Sequence, residues 1–154
     1  MVMNRKEKIK QQADKLAVNR DNWIKKNNYF YNDDHSYMQF LVGKGKRVLE
    51  LGCGTGRLLG ALSPSQGVGV DISANMIHVA QENYENFEFI QGDLEDVRFI
   101  SSLQGPFDFI ILSGTIGYLD DCEEAFIGLH SLCTPDTRLI ISYYSWWWRP
   151  ILAL

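Results

Sequence analysis

Val48-Leu49-Glu50-Leu51-Gly52-Cys53-Gly54-Thr55-Gly56-Arg57-Leu58 is the stretch on which the fold turns. Arg47 to Leu51 is a short apolar run and reads as a buried strand. Glycines follow at once, and Arg57 to Leu62 then reads as a helix stopped near Pro64. Glycine adopts backbone conformations closed to other residues, and without a Cβ it lets a ligand lie against the main chain. The helix behind it offers free N–H groups and a partial positive charge. In a doubly wound sheet such a turn sits at the carboxyl edge, near the point where the strand order reverses, and ligands bind there.

The pattern continues on both sides. Downstream, Gly67 to Asp71 reads as a second strand, and Ser73 caps a helix over Ala74–Asn83. Phe87 to Gln91 alternates as a third strand, residues 95–103 hold a loop and a short helix, and Phe107 to Leu112 is a fourth strand. Asp120–Leu132 is helical, with acids in its first turn that suit the helix dipole. Arg138 to Tyr144 is a fifth strand. Strands alternating with helices predict an α/β fold, a doubly wound, mostly parallel sheet with helices on both faces.

Upstream, Ile9, Ala13, Leu16, Trp23 and Ile24 recur at helical spacing and predict a helix over 5–26. Asn27-Asn28 reads as its stop, Tyr29 to His35 as an aromatic and polar loop, and Ser36 to Val42 as a short helix before the turn Gly43–Lys46. The division expected is an N-terminal helical cap over 1–42 and a Rossmann-like core over 43–154.

The dinucleotide fingerprint is G-x-G-x-x-G. Here the spacing is G-x-G-x-G, and Arg57 stands where the third glycine would be. That counts against a pyrophosphate ligand and against a nicotinamide-dependent oxidoreductase. Asp71 ends the next strand, nineteen residues after Gly52, where a carboxylate meets ribose hydroxyls. Such a carboxylate favours a nucleoside and repels a ribose phosphate.

These segments together resemble class I S-adenosylmethionine-dependent methyltransferases. Glu50 to Gly56 resembles their first motif, and Val70-Asp71-Ile72-Ser73 with Met76 and Ile77 their second. Gly92-Asp93-Leu94 resembles the third, and Phe107 to Ile111 followed by Ser113 the fourth. The resemblance covers residues 46–145 and leaves the acceptor open. It implies a core that binds S-adenosyl-L-methionine. Gly52, Cys53, Gly54 and Gly56 would form the loop along the methionine part, with Glu50 supporting it. Asp71 would hold the ribose, Ile72 and Met76 would cover the adenine, Asp93 would accept from its amino group, and Leu94 would pack beside it. Ser113 would offer main chain near the methionine, and Tyr29 and Tyr31 would cap the site. The superfamily sheet has seven strands. With about five here, the last strands are expected to be missing, and Trp146 to Leu154 reads as the cut start of a further helix that wants a missing segment or partner domain.

The implied reaction is in-line displacement at an activated methyl, in which the protein aligns atoms and excludes water. His35 and Tyr31 are the candidate bases, because a histidine titrates near neutrality. A small-molecule or saccharide acceptor is the leading reading, and a non-catalytic S-adenosylmethionine-binding module is the alternative. Cys53 is equally a small loop residue, and Ile72, Met76 and Leu94 are equally core.

Composition narrows the partners. The net charge is −4, which gives no support to general nucleic-acid binding. Residues 1–28 carry eight Lys/Arg against three Asp/Glu, and the remainder seven against sixteen. The basic start reads either as a solvated helix flank or as an arm for an acidic acceptor or membrane surface. No apolar run reaches membrane-span length. Cys53, Cys122 and Cys133 have no metal-type spacing and read as reduced thiols of a cytoplasmic protein.

Overall fold

A computed structural model describes residues 4–143. Helix α1 spans Arg5–Lys26 and starts at Asn4, whose side chain accepts from the Glu7 amide at 2.7 Å. Helix α2 spans Asn28–Val42. The loop expected over 29–35 is therefore helix. The cause is tertiary: Tyr31 packs edge to face on Trp23 and Phe30, with ring centroids 5.9 and 5.4 Å apart, while Met38 and Val42 are buried. Aromatic packing and burial outweigh the poor helix propensity of Asn and Asp here.

The sheet follows: β1 Arg47–Leu51, β2 Gln66–Asp71, β3 Glu88–Gln91, β4 Phe109–Ser113 and β5 Arg138–Ser142. The order is β3-β2-β1-β4-β5 and every pairing is parallel. The order reverses between β1 and β4, which fixes the switch point beside the glycine turn. Helices α3 (Arg57–Leu62), α4 (Ala74–Asn83), α5 (Val97–Ser101) and α6 (Cys122–Leu129) join the strands, with 3-10 turns at Ile116–Tyr118 and His130–Leu132. β4 starts two residues later than expected. The Asp108 side chain accepts the Arg47 amide at 2.8 Å while its own amide donates to the Arg47 carbonyl at 2.9 Å, and Phe107 is buried against the other layer. The last helix starts at its cap Asp121, which accepts from the Glu123 and Glu124 amides at 2.9 and 3.1 Å.

Side chains alternate across the strands, so the core has two halves. Val48, Phe89, Phe109 and Ile111 meet Met38 and Val42 of α2, Leu58, Leu59 and Leu62 of α3, and Ile77 and Ala80 of α4. Leu49, Leu51, Val68, Val70, Ile110 and Leu112 meet Ile100, Leu129 and Leu132 on the other side. Truncating a fully buried residue such as Ile110 to Ala costs about 2–5 kcal/mol. No helix among the described residues is long and apolar enough to cross a membrane. The tail Trp146 to Leu154 lies outside the described residues.

Candidate functional site

Four strand ends build the site. Leu51 leads into Gly52, whose amide donates to the Val70 carbonyl at 2.7 Å, and the Cys53 amide donates to the same oxygen at 3.0 Å. This folds the glycine turn onto the end of β2. Gly52 has φ +79°, and a Cβ there would lie 2.2 Å from Thr115 Oγ1, so only glycine fits between the two strand ends. Gly54 has φ +53°, and the space where its Cβ would point is empty to 4 Å. That open side borders a cavity of about 220 Å³.

Asp71 closes the end of β2. Its Oδ2 accepts from the Gly54 amide and its Oδ1 from the Ser73 amide, both at 2.9 Å. Burial raises its pKa, and those two amides with the Arg20 guanidinium pull against the rise. Each oxygen has taken one donor and keeps a further lone pair. Ile72 and Met76 follow on the same wall, Asp93 and Leu94 come from the end of β3, and Ser113 with Gly114 and Thr115 from the end of β4. The Ser113 hydroxyl accepts from Ser142 Oγ at 3.1 Å, and its carbonyl accepts from Thr115 Oγ1 at 3.3 Å.

Of the residues singled out in the sequence, Gly52, Gly54, Asp71, Ile72, Met76, Asp93, Leu94 and Ser113 line this one cavity. The others lie elsewhere. Glu50 is buried under the turn with Oε2 lacking a partner, and burial lifts its carboxyl to about 8 while the Leu59 amide offsets part of the rise. Cys53 is buried in the α2–α3–α4 half of the core, where burial raises its thiol pKa well above the ordinary value. Gly56 caps α3 with φ +76° and faces Phe89. Tyr29 is 86% exposed. Tyr31 and His35 sit together in α2 with ring centroids 6.3 Å apart, outside the cavity wall. Burial raises the Tyr31 pKa and lowers that of His35.

The lid of the cavity is α1, which sequence reasoning assigned to no cofactor contact. Lys6, Ile9, Gln12, Ala13, Leu16 and Arg20 face the strand ends. Asp14 Oδ1 accepts from the Ser73 hydroxyl at 2.5 Å, and the Asn75 side chain donates to the Asp14 carbonyl at 3.1 Å. Asp21 accepts from Thr55 Oγ1 at 2.7 Å and from Asn83 at 3.0 Å. Two acids at heptad spacing thus tie α1 to the glycine turn and to α4. The signal in the sequence was the periodic face of 5–26, whose Ile9, Ala13 and Leu16 line the cavity.

A nucleoside fits this chemistry. The bared Gly54 backbone lies beside a carboxylate with spare lone pairs, and Ile72, Met76 and Leu94 supply apolar walls for a flat base. Among the described residues, no group of three or more His, Cys, Asp or Glu is placed to hold a metal ion.

A methyltransferase-domain family model matches residues 43–150. The chain is 30% identical over 106 residues to malonyl-[acyl-carrier protein] O-methyltransferase of Halalkalibacterium halodurans, covering 64% of this chain and 39% of that protein. It is 29% identical over 107 residues to ubiquinone biosynthesis O-methyltransferase of Coxiella burnetii, covering 68% of this chain and 46% of that one. The chain thus spans less than half the length of these curated relatives. A solved S-adenosylmethionine-dependent methyltransferase of Thermotoga maritima superposes with a TM-score of 0.69 at 23% identity, over 83% of this chain and 58% of that one, which is a likeness of fold. With the family model covering the sheet from before β1 to beyond β5, this chain belongs to the methyltransferase-domain family, the Rossmann-like class of S-adenosylmethionine-dependent methyltransferases.

Proposed function

We propose that this chain binds S-adenosyl-L-methionine at the carboxyl edge of its sheet and transfers the methyl group to an oxygen of a small-molecule or saccharide acceptor. The observation that carries the reading is the open Gly54 backbone and the Asp71 carboxylate, hydrogen-bonded to each other at 2.9 Å, lining one cavity together. Asp71 would take the ribose hydroxyls on its spare lone pairs. Ile72, Met76 and Leu94 would enclose the adenine, and Asp93 would accept from its amino group. Gly52, Gly54 and the Ser113–Gly114 backbone would run along the methionine part, with buried Glu50 beneath.

When bound, the cofactor supplies a methyl carbon on a sulfonium, already activated toward nucleophiles. The chain's own work is then alignment and exclusion of water. Leu16 and Leu119 add apolar wall to the cavity. The lining hydroxyls of Ser113, Thr115 and Tyr118 would be available to hydrogen-bond an acceptor oxygen. Two relatives named as O-methyltransferases support an oxygen acceptor. A second reading is a module that holds the cofactor without turnover.

Calorimetry and a methyl-transfer assay over an acceptor panel test the proposal. S-adenosylmethionine is expected to bind, and Asp71→Ala to weaken binding about 10- to 100-fold through loss of charge-assisted hydrogen bonds. Unchanged affinity in the variant removes the ribose assignment. Binding without transfer to any acceptor favours the module.

A further inference from the structure

The cavity beside Gly54 has a neighbour. A second hollow of about 340 Å³ opens on the adenine side, between the first turns of α1 and the ends of β2 and β3. Lys6, Ile72 and Asp93 line both hollows. Lys6 Nζ stands 2.7 Å from Asp93 Oδ2 and 3.0 Å from Glu95 Oε2, so the Lys6–Asp93 pair belongs to the wall that the two hollows share. The first hollow falls below the ~300–1,000 Å³ of small-ligand sites, and the two joined fall within it.

Both acids are already engaged. Asp93 Oδ1 takes the Glu95 amide at 3.0 Å while Oδ2 takes Lys6. Glu95 Oε1 accepts from the amides of Asp120, at 2.9 Å, and Asp121. One residue earlier, Arg5 donates to the carbonyls of Gly117 at 3.0 Å and Leu119 at 3.2 Å and pairs with Asp120. The first turn of α1 therefore clasps the Asp93–Glu95 corner and the loop after β4 at once.

We propose that Lys6 is an internal latch, an ammonium that occupies on Asp93 and Glu95 the place of an incoming adenine amino group and must leave for the cofactor to bind. The inference rests on the cofactor reading above. An ammonium and an aromatic amine are both N–H donors, so they compete for the same oxygens. The Lys6 side chain is 32% exposed on a flexible stem, so it returns to water without crossing the core. With Lys6 in place, those oxygens are occupied, and only the open fraction of molecules accepts ligand. Apparent affinity is lowered by that fraction.

The test is titration of S-adenosylhomocysteine into the wild type, Lys6→Met and Lys6→Arg, with circular dichroism confirming that each is folded. Lys6→Met is expected to bind about two- to sixfold tighter than the wild type at low salt, the range set by a pair worth up to about 1 kcal/mol. The gain shrinks as salt rises, because screening weakens the wild-type pair. Lys6→Arg keeps the wild-type affinity. The wild type alone gives an independent measurement, since its own affinity should rise with salt. Equal or weaker binding by Lys6→Met, or wild-type affinity that falls with salt, overturns the latch and leaves the cofactor reading standing. No binding by any of the three proteins overturns the cofactor reading and the latch with it.

Discussion

Glu50 is a charge-bearing residue placed where charge is costly. It lies 4% exposed among Val48, Leu49 and Leu51, and its Oε2 has no partner. Burial lifts its carboxyl from the ordinary 4.5 to about 8, so it is largely protonated at neutral pH. The folded value lies above the unfolded one. The folded state therefore holds a proton that the unfolded state has lost, and ionising Glu50 as pH rises works against folding. Its stabilising share is complete below about 4.5 and is lost as pH climbs through about 8. The span is on the order of a few kcal/mol. Glu50→Gln keeps the shape without the titration. The melting temperature of the wild type is expected to fall relative to Glu50→Gln between about pH 5 and pH 8, the window those two values bound. A constant difference across that window removes the buried acid as its cause.

The parallel sheet was legible at the scale of elements because its signals are local. Val48 to Leu51, Val68 to Asp71 and Phe109 to Leu112 are short apolar runs between turn residues, and Ser73 is a cap that works as its type predicts, accepting from Met76 at 3.1 Å. The eight lining residues read in the sequence all sit at strand ends or one turn beyond, where motif spacing maps onto space. What stayed unread depends on contacts between distant positions. Lys6 meets Asp93 across 87 residues, and Thr55 meets Asp21 across 34. Neither pair leaves a local pattern. Helix α2 was obscured because it begins directly after the true stop of α1 at Asn27, and one ring that holds Tyr31, Trp23, comes from α1. The attachment of α1 can be tested directly. Asp21→Ala leaves the Thr55 hydroxyl, 3% exposed, without its acceptor. A loss of about 1–3 kcal/mol is expected. Amide exchange should quicken along the second half of α1 while the central strands keep their protection. Equal protection in α1 of both proteins means that its apolar face alone holds it.

Charge at the scale of the whole molecule is segregated, and the fold gives that a use. The acids Asp71, Asp93 and Glu95 rim the carboxyl edge, and the cations Lys6 and Arg20 of the basic first helix are laid against them. This rim favours a ligand whose nucleoside end offers hydroxyl and amine donors and whose other end carries a sulfonium and an ammonium. It repels a pyrophosphate, which would place two negative charges beside three carboxylates. The glycine turn agrees, since Arg57 occupies the position that the dinucleotide fingerprint reserves for the glycine of close helix–strand packing. S-adenosylhomocysteine at a hundred times its Kd should stabilise the folded chain by about 2.7 kcal/mol. For a chain of this length that is a rise of about 5–10 °C in melting temperature. NADH at the same concentration should give no rise. A shift with NADH and none with S-adenosylhomocysteine would mean that the rim does not select by charge, and the nucleoside reading of Asp71 would go with it.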